Sequence, residues 1–245
     1  MVGPTPYGTT ETVTGEDRGM DVRGVDASGS EQFTVPLPHG RDPAVTAYDL
    51  GFVIEHPIDA YRDGDGELVL RFAVRPVVDE TRPRQRPAGR DAGLVVAEDE
   101  EPITRQRIAA YAIVVSECGL LATQYSSRTS VDGRWGMPGG GIDPGEEPGA
   151  AVVREVHEET AQDVELGPLV AVQTSHWVGR SPGGQVEDFH AVRLVYRAAC
   201  PEPGEPVVLD VGGTTADARW VELDRWRSIP WTANWQEALA QLLPG

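Results

Sequence analysis

Three glutamates, Glu155, Glu158 and Glu159, stand close together in a stretch that favours a helix. Residues three and four apart share one face of a helix, so these carboxylates would lie about one turn apart. Like charges at this spacing repel one another, and the C-terminal end of a helix disfavours anions. The three side chains therefore form either a solvated acidic face or a site for a cation. Hard carboxylate oxygens suit Mg²⁺ or Mn²⁺, and Mg²⁺ commonly joins a few carboxylates to substrate phosphates.

The helix that would carry these glutamates is predicted to begin at Pro148, because proline fits the first turn, where its missing N–H costs little. From Ala150 to Thr160 most residues are good helix formers, and neither glycine nor proline interrupts them. Helical spacing also predicts one mostly apolar side, suited to packing on a sheet, which consists of Val152, Val153, Val156 and Thr160. The three glutamates are predicted to point away from that side.

The stretch from Gly140 to Gln162 resembles the signature of the Nudix hydrolases. The residues at the matching positions, with the spacing of that signature, are Gly140, Glu146, Arg154, Glu155, Val156, Glu158 and Glu159. The preceding GRWGMPG, residues 133–139, resembles the lead-in of the same family. Two positions depart from the pattern, since Ala161 replaces a glycine and Gln162 replaces an aliphatic residue. Either the helix continues past Ala161, or alanine adopts a positive φ there at a cost of about 1 kcal/mol.

The resemblance implies an α/β fold, a Nudix-type α/β/α sandwich with a mixed sheet. It also implies hydrolysis of a nucleoside diphosphate linked to another group, with Mg²⁺ or Mn²⁺ as cofactor. Carried over by position, Glu155 and Glu159 are metal ligands, and the Gly139 carbonyl is a third. Glu158 would bind a second metal ion or accept a proton. Arg154 would pair with Glu146 and hold the metal-binding carboxylates in place, since a guanidinium can bridge two carboxylates.

Further candidate site residues lie outside this signature. Glu187 and Asp188 fall in a predicted loop, residues 179–188, where some Nudix enzymes place an extra catalytic acid. Glu187 is therefore a second candidate for the general base. Trp177 would stack a base or fill a groove, and Arg180 is a candidate substrate contact. For the two histidines nearby, His176 and His190, a structural role is favoured over substrate contact.

Composition divides the chain into four parts. Residues 1–30 are predicted to be disordered, since they hold few large apolar side chains, and residues 80–107 read as a linker rich in proline, arginine and acidic residues. Between them, residues 31–79 form a small β-rich region with strands at Tyr48–Ile54 and Leu68–Val74 and a turn at Asp63–Glu67. Such a small region packs either on the main domain or on a second copy of the chain in a homodimer.

The main domain is predicted to cover residues 108–245. Its strands are predicted from apolar runs and alternation at Ala109–Ser116, Leu120–Tyr125, Leu169–His176, Phe189–Ala199 and Ala218–Leu223. A final helix is predicted from Trp235 to Leu243, with Asn234 as its N-cap.

The 245 residues carry a formal net charge of −18, which argues against binding to nucleic acid or to an anionic membrane surface. No apolar run is long enough to span a bilayer, and the first thirty residues lack the pattern of a secretory signal. The two cysteines, Cys118 and Cys200, show no metal-binding spacing, so a cytoplasmic location is expected.

Two classes of function remain from the sequence. The first is a metal-dependent pyrophosphohydrolase acting on a nucleoside diphosphate-type small molecule. The second is a Nudix-fold sensor that binds a nucleotide without turnover. The glutamates and Arg154 favour the enzyme, whereas Ala161 and the N-terminal extension favour the sensor.

Overall fold

The structure, a computed structural model, describes residues 19–97, 100–181 and 183–243. The chain forms two compact units, whose limits differ from the boundaries drawn from composition. The first unit contains residues 109–168 and 195–243, and the second contains residues 19–108 and 169–194. Within the described residues, no helix has the length and apolar character needed to cross a membrane.

The second unit contains a four-stranded sheet, formed by β1 (Met20–Val25), β2 (Glu31–Pro36), β3 (Phe52–Arg62) and β4 (Leu68–Pro76). Its strand order is β2-β1-β4-β3, with β1 and β4 parallel and the other pairs antiparallel.

The predicted disorder of residues 1–30 is wrong for β1. Met20 and Val22 alternate with polar residues and are fully buried, a strand pattern that composition alone does not reveal. Residues 1–18 lie outside the described residues.

A short helix, α1 (Pro43–Asp49), takes the place of the first part of the strand predicted at Tyr48–Ile54. Asp42 caps it by accepting the Ala44 N–H, and the proline fits the first turn. Gly51, with φ of +90°, ends the helix and leads into β3.

The predicted turn at Asp63–Glu67 is confirmed, because the Asp63 N–H donates to the Glu67 carbonyl.

The second unit also contains β5 (Gly89–Arg90) and parts of β6 (Ile103–Ser116), β10 (Glu165–Arg180) and β11 (Val186–Ala199), in the order β11-β10-β5. Two predictions are corrected here. The linker at 80–107 contains β5 and the start of β6, and the loop at 179–188 is shorter, so that Glu187 and Asp188 lie in β11. Strands with one exposed face carry many polar residues, so the polar composition of their ends led to the prediction of loops there.

In the first unit, β7 (Gly119–Tyr125) pairs antiparallel with β12 (Thr215–Val221) and with β6. The strand order is β12-β7-β6-β11, and two short strands, β8 (Trp135–Gly136) and β9 (Gly139–Gly141), pair with β7 and β6. Helix α2 (Pro148–Thr160) contacts β9 and β12. The predicted α/β fold with mixed sheets, preceded by a β-rich N-terminal region, is confirmed.

The last helix, α3 (Ala233–Leu242), begins earlier than predicted. Its N-cap is Thr232, whose hydroxyl accepts the Trp235 N–H, and not Asn234. The Trp235 ring meets Tyr111 edge-on, and Leu239 is fully buried, so α3 belongs to the core of the first unit.

Helix α2 ends at Thr160, and Ala161 adopts the left-handed conformation with φ of 53°. The helix therefore does not continue past Ala161. Backbone N–H groups within residues 207–210 donate to the carbonyls of Glu158 and Thr160. These hydrogen bonds pair two of the carbonyls that have no partner within the helix. Gln162 is buried, and its Oε1 accepts the Gly204 N–H at 2.8 Å, so this second departure from the signature is accommodated by a hydrogen bond.

Replacing Ala161 by glycine is expected to stabilise the protein by about 1 kcal/mol, because glycine has no Cβ penalty at positive φ. Urea unfolding measures this change. Ala150 is the matched control, since it is exposed within α2 and Ala150→Gly should destabilise the protein by about 1 kcal/mol. A loss of stability in both variants would contradict the left-handed assignment.

Candidate active site

The site begins at the glycine strand β9, which pairs with β6. At Gly139, with φ of +142°, a Cβ would lie 2.3 Å from the Ala110 carbonyl oxygen, so no other residue fits without a shift. At Gly140 a Cβ would lie 2.5 Å from Oε2 of Glu155. The bare backbone of Gly140 therefore leaves room for a helix carboxylate to lie directly against the glycine strand.

Arg154 gathers three carboxylates around one guanidinium. Its Nε and Nη2 donate to the two oxygens of Glu146, each at 2.9 Å, in a bidentate pair. Its Nη1 donates to Glu155 at 3.0 Å and to Glu158 at 3.1 Å, and Nη2 also reaches the Gly141 carbonyl at 3.2 Å. The predicted Arg154–Glu146 pair is present. These hydrogen bonds lower the pKa of Glu146 and raise that of Arg154.

Glu159 differs from the other two glutamates of the helix because it is buried, at 8% exposure. It accepts the Gly139 N–H at 2.9 Å and the hydroxyl hydrogen of Thr215. Burial raises its pKa to about 8 against the effect of these hydrogen bonds, and the charge of Glu155 adds to the rise. A carboxylate in such a place favours a proton or a cation.

The burial of Glu159 corrects the expectation that all three glutamates point away from the packed side of the helix. Glu159 lies on the same stripe as Val152 and Val156, because it follows them by seven and three residues. Thr215, its hydrogen-bond partner, was missed, since it precedes the strand predicted at Ala218–Leu223 and carries no spacing signal.

The donor set fits a hard divalent cation, because carboxylate and carbonyl oxygens are the ligands that Mg²⁺ and Mn²⁺ prefer. Glu155, Glu158 and Glu159, all within the described part of the chain, nevertheless do not form a group in which all ligand atoms lie within 4.8 Å of one another. The reason is visible in the hydrogen bonds: Arg154 Nη1 holds Glu155 and Glu158, while Glu159 faces Gly139 and Thr215. A cation would compete with these partners.

Three predicted site residues lie in the second unit. Glu187 lies in β11 and pairs with Arg105 at 2.9 Å, which corrects its predicted position in a loop. Trp177, for which base stacking and groove filling were both left open, is 7% exposed and packs on Phe189 with ring centroids 4.2 Å apart. Arg180 donates to Glu100 at 2.8 and 3.0 Å, so a counterion already neutralises the charge predicted to contact substrate.

Arg154→Lys is expected to weaken divalent-cation binding by about 10–100-fold, the usual effect of losing a partner that orients metal ligands. Lysine keeps the charge but cannot bridge Glu146, Glu155 and Glu158 with one planar group. Calorimetric titration of the protein with Mg²⁺ measures this loss of affinity. Arg225→Lys is the control, because Arg225 pairs with Glu222 on an exposed surface of the same unit. Unchanged Mg²⁺ affinity in Arg154→Lys would contradict the orienting role of Arg154.

Comparison with known proteins agrees with this geometry. A family model described as the NUDIX domain matches residues 105–243, more than half of the chain. The chain belongs to the Nudix family, as the resemblance of residues 140–162 predicted.

Particular relatives match over shorter stretches. Human diphosphoinositol polyphosphate phosphohydrolase 3-alpha is 56% identical over 39 residues, which are 16% of this chain and 24% of that protein. The RNA pyrophosphohydrolase of Azorhizobium caulinodans is 36% identical over 106 residues, 37% of this chain and 60% of that protein. The chain thus spans less than two thirds of these curated relatives. A solved MutT NUDIX hydrolase from Burkholderia pseudomallei is 28% identical, with a TM-score of 0.44, covering 56% of this chain and 98% of that one.

Proposed function

We propose that this Nudix protein hydrolyses a pyrophosphate bond in a nucleoside diphosphate linked to another group, with Mg²⁺ or Mn²⁺ as cofactor. Candidate substrates are nucleotide sugars, dinucleotides and nucleoside triphosphates. The observation that carries the proposal is the assembly of Glu146, Glu155 and Glu158 on Arg154 of α2, the helix that also carries the buried Glu159. The names of the two curated relatives, a phosphohydrolase and a pyrophosphohydrolase, agree with this class of reaction.

The proposed roles follow from the chemistry of the donors. Transfer of a phosphoryl group needs neutralisation of charge on the phosphate oxygens, which a bound divalent cation supplies. Glu155, Glu159 and the Gly139 carbonyl would hold that cation. Glu158 would bind a second ion or accept a proton from the attacking water. Arg154 positions the carboxylates and does not itself touch the reacting atoms.

A cavity in the first unit supports a small-molecule substrate. Its volume is about 410 Å³, within the range of about 300–1,000 Å³ that is usual for ligand sites. Thr215, which donates to Glu159, is part of its wall, so the cavity adjoins the carboxylate site. Arg128, an exposed cation, lies in the same wall and suits an anionic group.

The alternative is a sensor that binds a nucleotide without turnover. One observation favours it: Arg154 occupies Glu155 and Glu158, and the pKa of Glu159, raised to about 8, favours its protonated form at neutral pH. In such a protein the carboxylates would stay in these contacts when the nucleotide binds.

Incubation of the pure protein with a panel of nucleotide sugars, dinucleotides and nucleoside triphosphates distinguishes the two functions. Mg²⁺ or Mn²⁺ is added, and phosphorus NMR counts the phosphate products. Wild type should convert at least one compound, while Glu155→Gln prepared in the same way should not, which controls for contaminating hydrolases. Binding of a panel member by calorimetry without any product would instead support the sensor.

A further inference from the structure

A second cluster of metal-ligating side chains lies in the second unit. Nε2 of His39 lies 3.0 Å from Oδ1 of Asp188, and Nε2 of His176 lies 2.5 Å from the same oxygen. One ligand atom from each residue lies within 4.8 Å of the other two, and no other such group occurs among the described residues. We propose that His39, His176 and Asp188 bind one divalent transition-metal ion of the zinc class.

Two imidazoles and one carboxylate suit a borderline ion, whereas the all-oxygen set around Arg154 suits a hard one. Bonds of about 2.0–2.1 Å to tetrahedral zinc place neighbouring ligand atoms roughly 3.3 Å apart. The two separations from Oδ1 of Asp188, 3.0 and 2.5 Å, therefore need to grow by less than about 1 Å. Three protein ligands leave a fourth position open to water or to an anionic ligand.

The three ligands come from separate elements that the fold holds together without the ion. His39 lies between β2 and α1, while His176 lies on β10 and Asp188 on β11. Asp42, three residues after His39, accepts a hydrogen bond from Thr174 of β10 at 3.1 Å. The side chains of His39, His176 and Asp188 are 26%, 21% and 32% exposed, so an ion could reach ligands that are already constrained.

Close backbone approach also fixes one of the rings. Gly40 has φ of +70°, and a Cβ there would lie 2.4 Å from Nδ1 of His176. The Gly40 carbonyl accepts a hydrogen bond from Gln85 at 2.9 Å, which holds this segment in place. The chain therefore reaches the His176 ring at a position where only glycine fits.

A third imidazole lies beside the cluster. His190 is completely buried, and its ring centroid is 5.5 Å from that of His39 and 6.3 Å from that of His176. Its Nδ1 contacts Gln106 at 2.9 Å, whereas its Nε2 has no hydrogen-bond partner among the described residues. The buried ring of His190 therefore packs against both imidazoles of the cluster.

The test uses the full chain without an affinity tag, stripped of metal and titrated with ZnCl₂ while excess Mg²⁺ occupies hard oxygen sites. Calorimetry should give one zinc per chain, and zinc X-ray absorption should show imidazole ligands. His39→Gln is the informative variant, because its amide can still donate to Asp188 but is a poor ligand. Its zinc affinity should fall by more than the roughly 10–100-fold typical of losing an outer-shell partner.

Two controls make the result specific. His56→Gln removes an exposed histidine from β3 of the same unit and should bind zinc like wild type. Glu155→Gln should also keep the zinc, which separates this site from the proposed hydrolase site. Zinc should raise the melting temperature of wild type and His56→Gln but not of His39→Gln. The proposal is overturned if wild type takes up no stoichiometric zinc, or if folded His39→Gln binds zinc as tightly as wild type.

Discussion

Glu159→Gln is expected to lower kcat by about 100-fold or more, while the metal-free protein remains folded. The proposed cation would supply several kcal/mol of charge stabilisation in the transition state, and each 1.36 kcal/mol corresponds to about tenfold in rate. Loss of one of its ligands would remove part of that stabilisation. Glutamine can still accept the Gly139 N–H and can donate to Thr215, so the buried contacts of Glu159 are kept. Steady-state kinetics at limiting Mg²⁺ measure the expected fall in kcat. Activity close to that of wild type would show that Glu159 is not a ligand.

The same substitution should change the pH dependence of stability. The pKa of Glu159 is raised to about 8 in the folded state, from about 4.3 in an unfolded chain. Between these two values the folded state binds more protons than the unfolded state. The contribution of Glu159 to the free energy of unfolding is therefore fully present below about pH 4 and is lost as pH rises through 8. With EDTA, wild type should lose stability to urea from pH 5 to pH 8.5 relative to Glu159→Gln. At pH 8.5, Mg²⁺ should stabilise wild type more than the variant. Equal pH dependence of the two proteins would contradict the raised pKa.

The local part of the site could be predicted because its residues are close in sequence. Gly140 lies in β9, Glu146 in the loop that follows, and Arg154 in α2 directly after that loop. Because these elements are consecutive, the spacing in the sequence determines which side chains can meet. The Arg154–Glu146 pair and the start of α2 at Pro148 are of this kind. The burial of Glu159 was missed because only the charge of the residue was considered, although its spacing from Val156 places it on the packed side.

Contacts between distant segments could not be predicted. Thr215 is 56 residues from Glu159, and His39 is 149 residues from Asp188, so no local pattern connects either pair. The short strand β1 and the ends of β10 and β11 were missed for a related reason. Strands with one exposed face have a polar composition, and only the pairing of neighbouring strands distinguishes them from loops.

Glu158 and Glu187 are the two candidates for the general base, and their surroundings separate them. The side chain of Glu158 is 46% exposed and contacts Arg154 at 3.1 Å. Glu187 is 18% exposed and pairs with Arg105 at 2.9 Å. A carboxylate bound directly to a cation has a lowered pKa and is a poor base, which excludes the proposed ligands Glu155 and Glu159 from this role. Glu158 is solvent-accessible beside them on the same helix, and we propose it as the base.

Glu158→Gln is therefore expected to lower kcat by about 10²–10⁴ and to abolish the acidic limb of the pH–rate profile at saturating Mg²⁺. Glu187→Gln should keep that limb, because its carboxylate is engaged with Arg105 in β11. Arg105→Gln breaks the same ion pair without removing a carboxylate and serves as the matched control. An acidic limb lost only in Glu187→Gln would reverse the assignment. An acidic limb kept in both glutamate variants would show that neither side chain is the base.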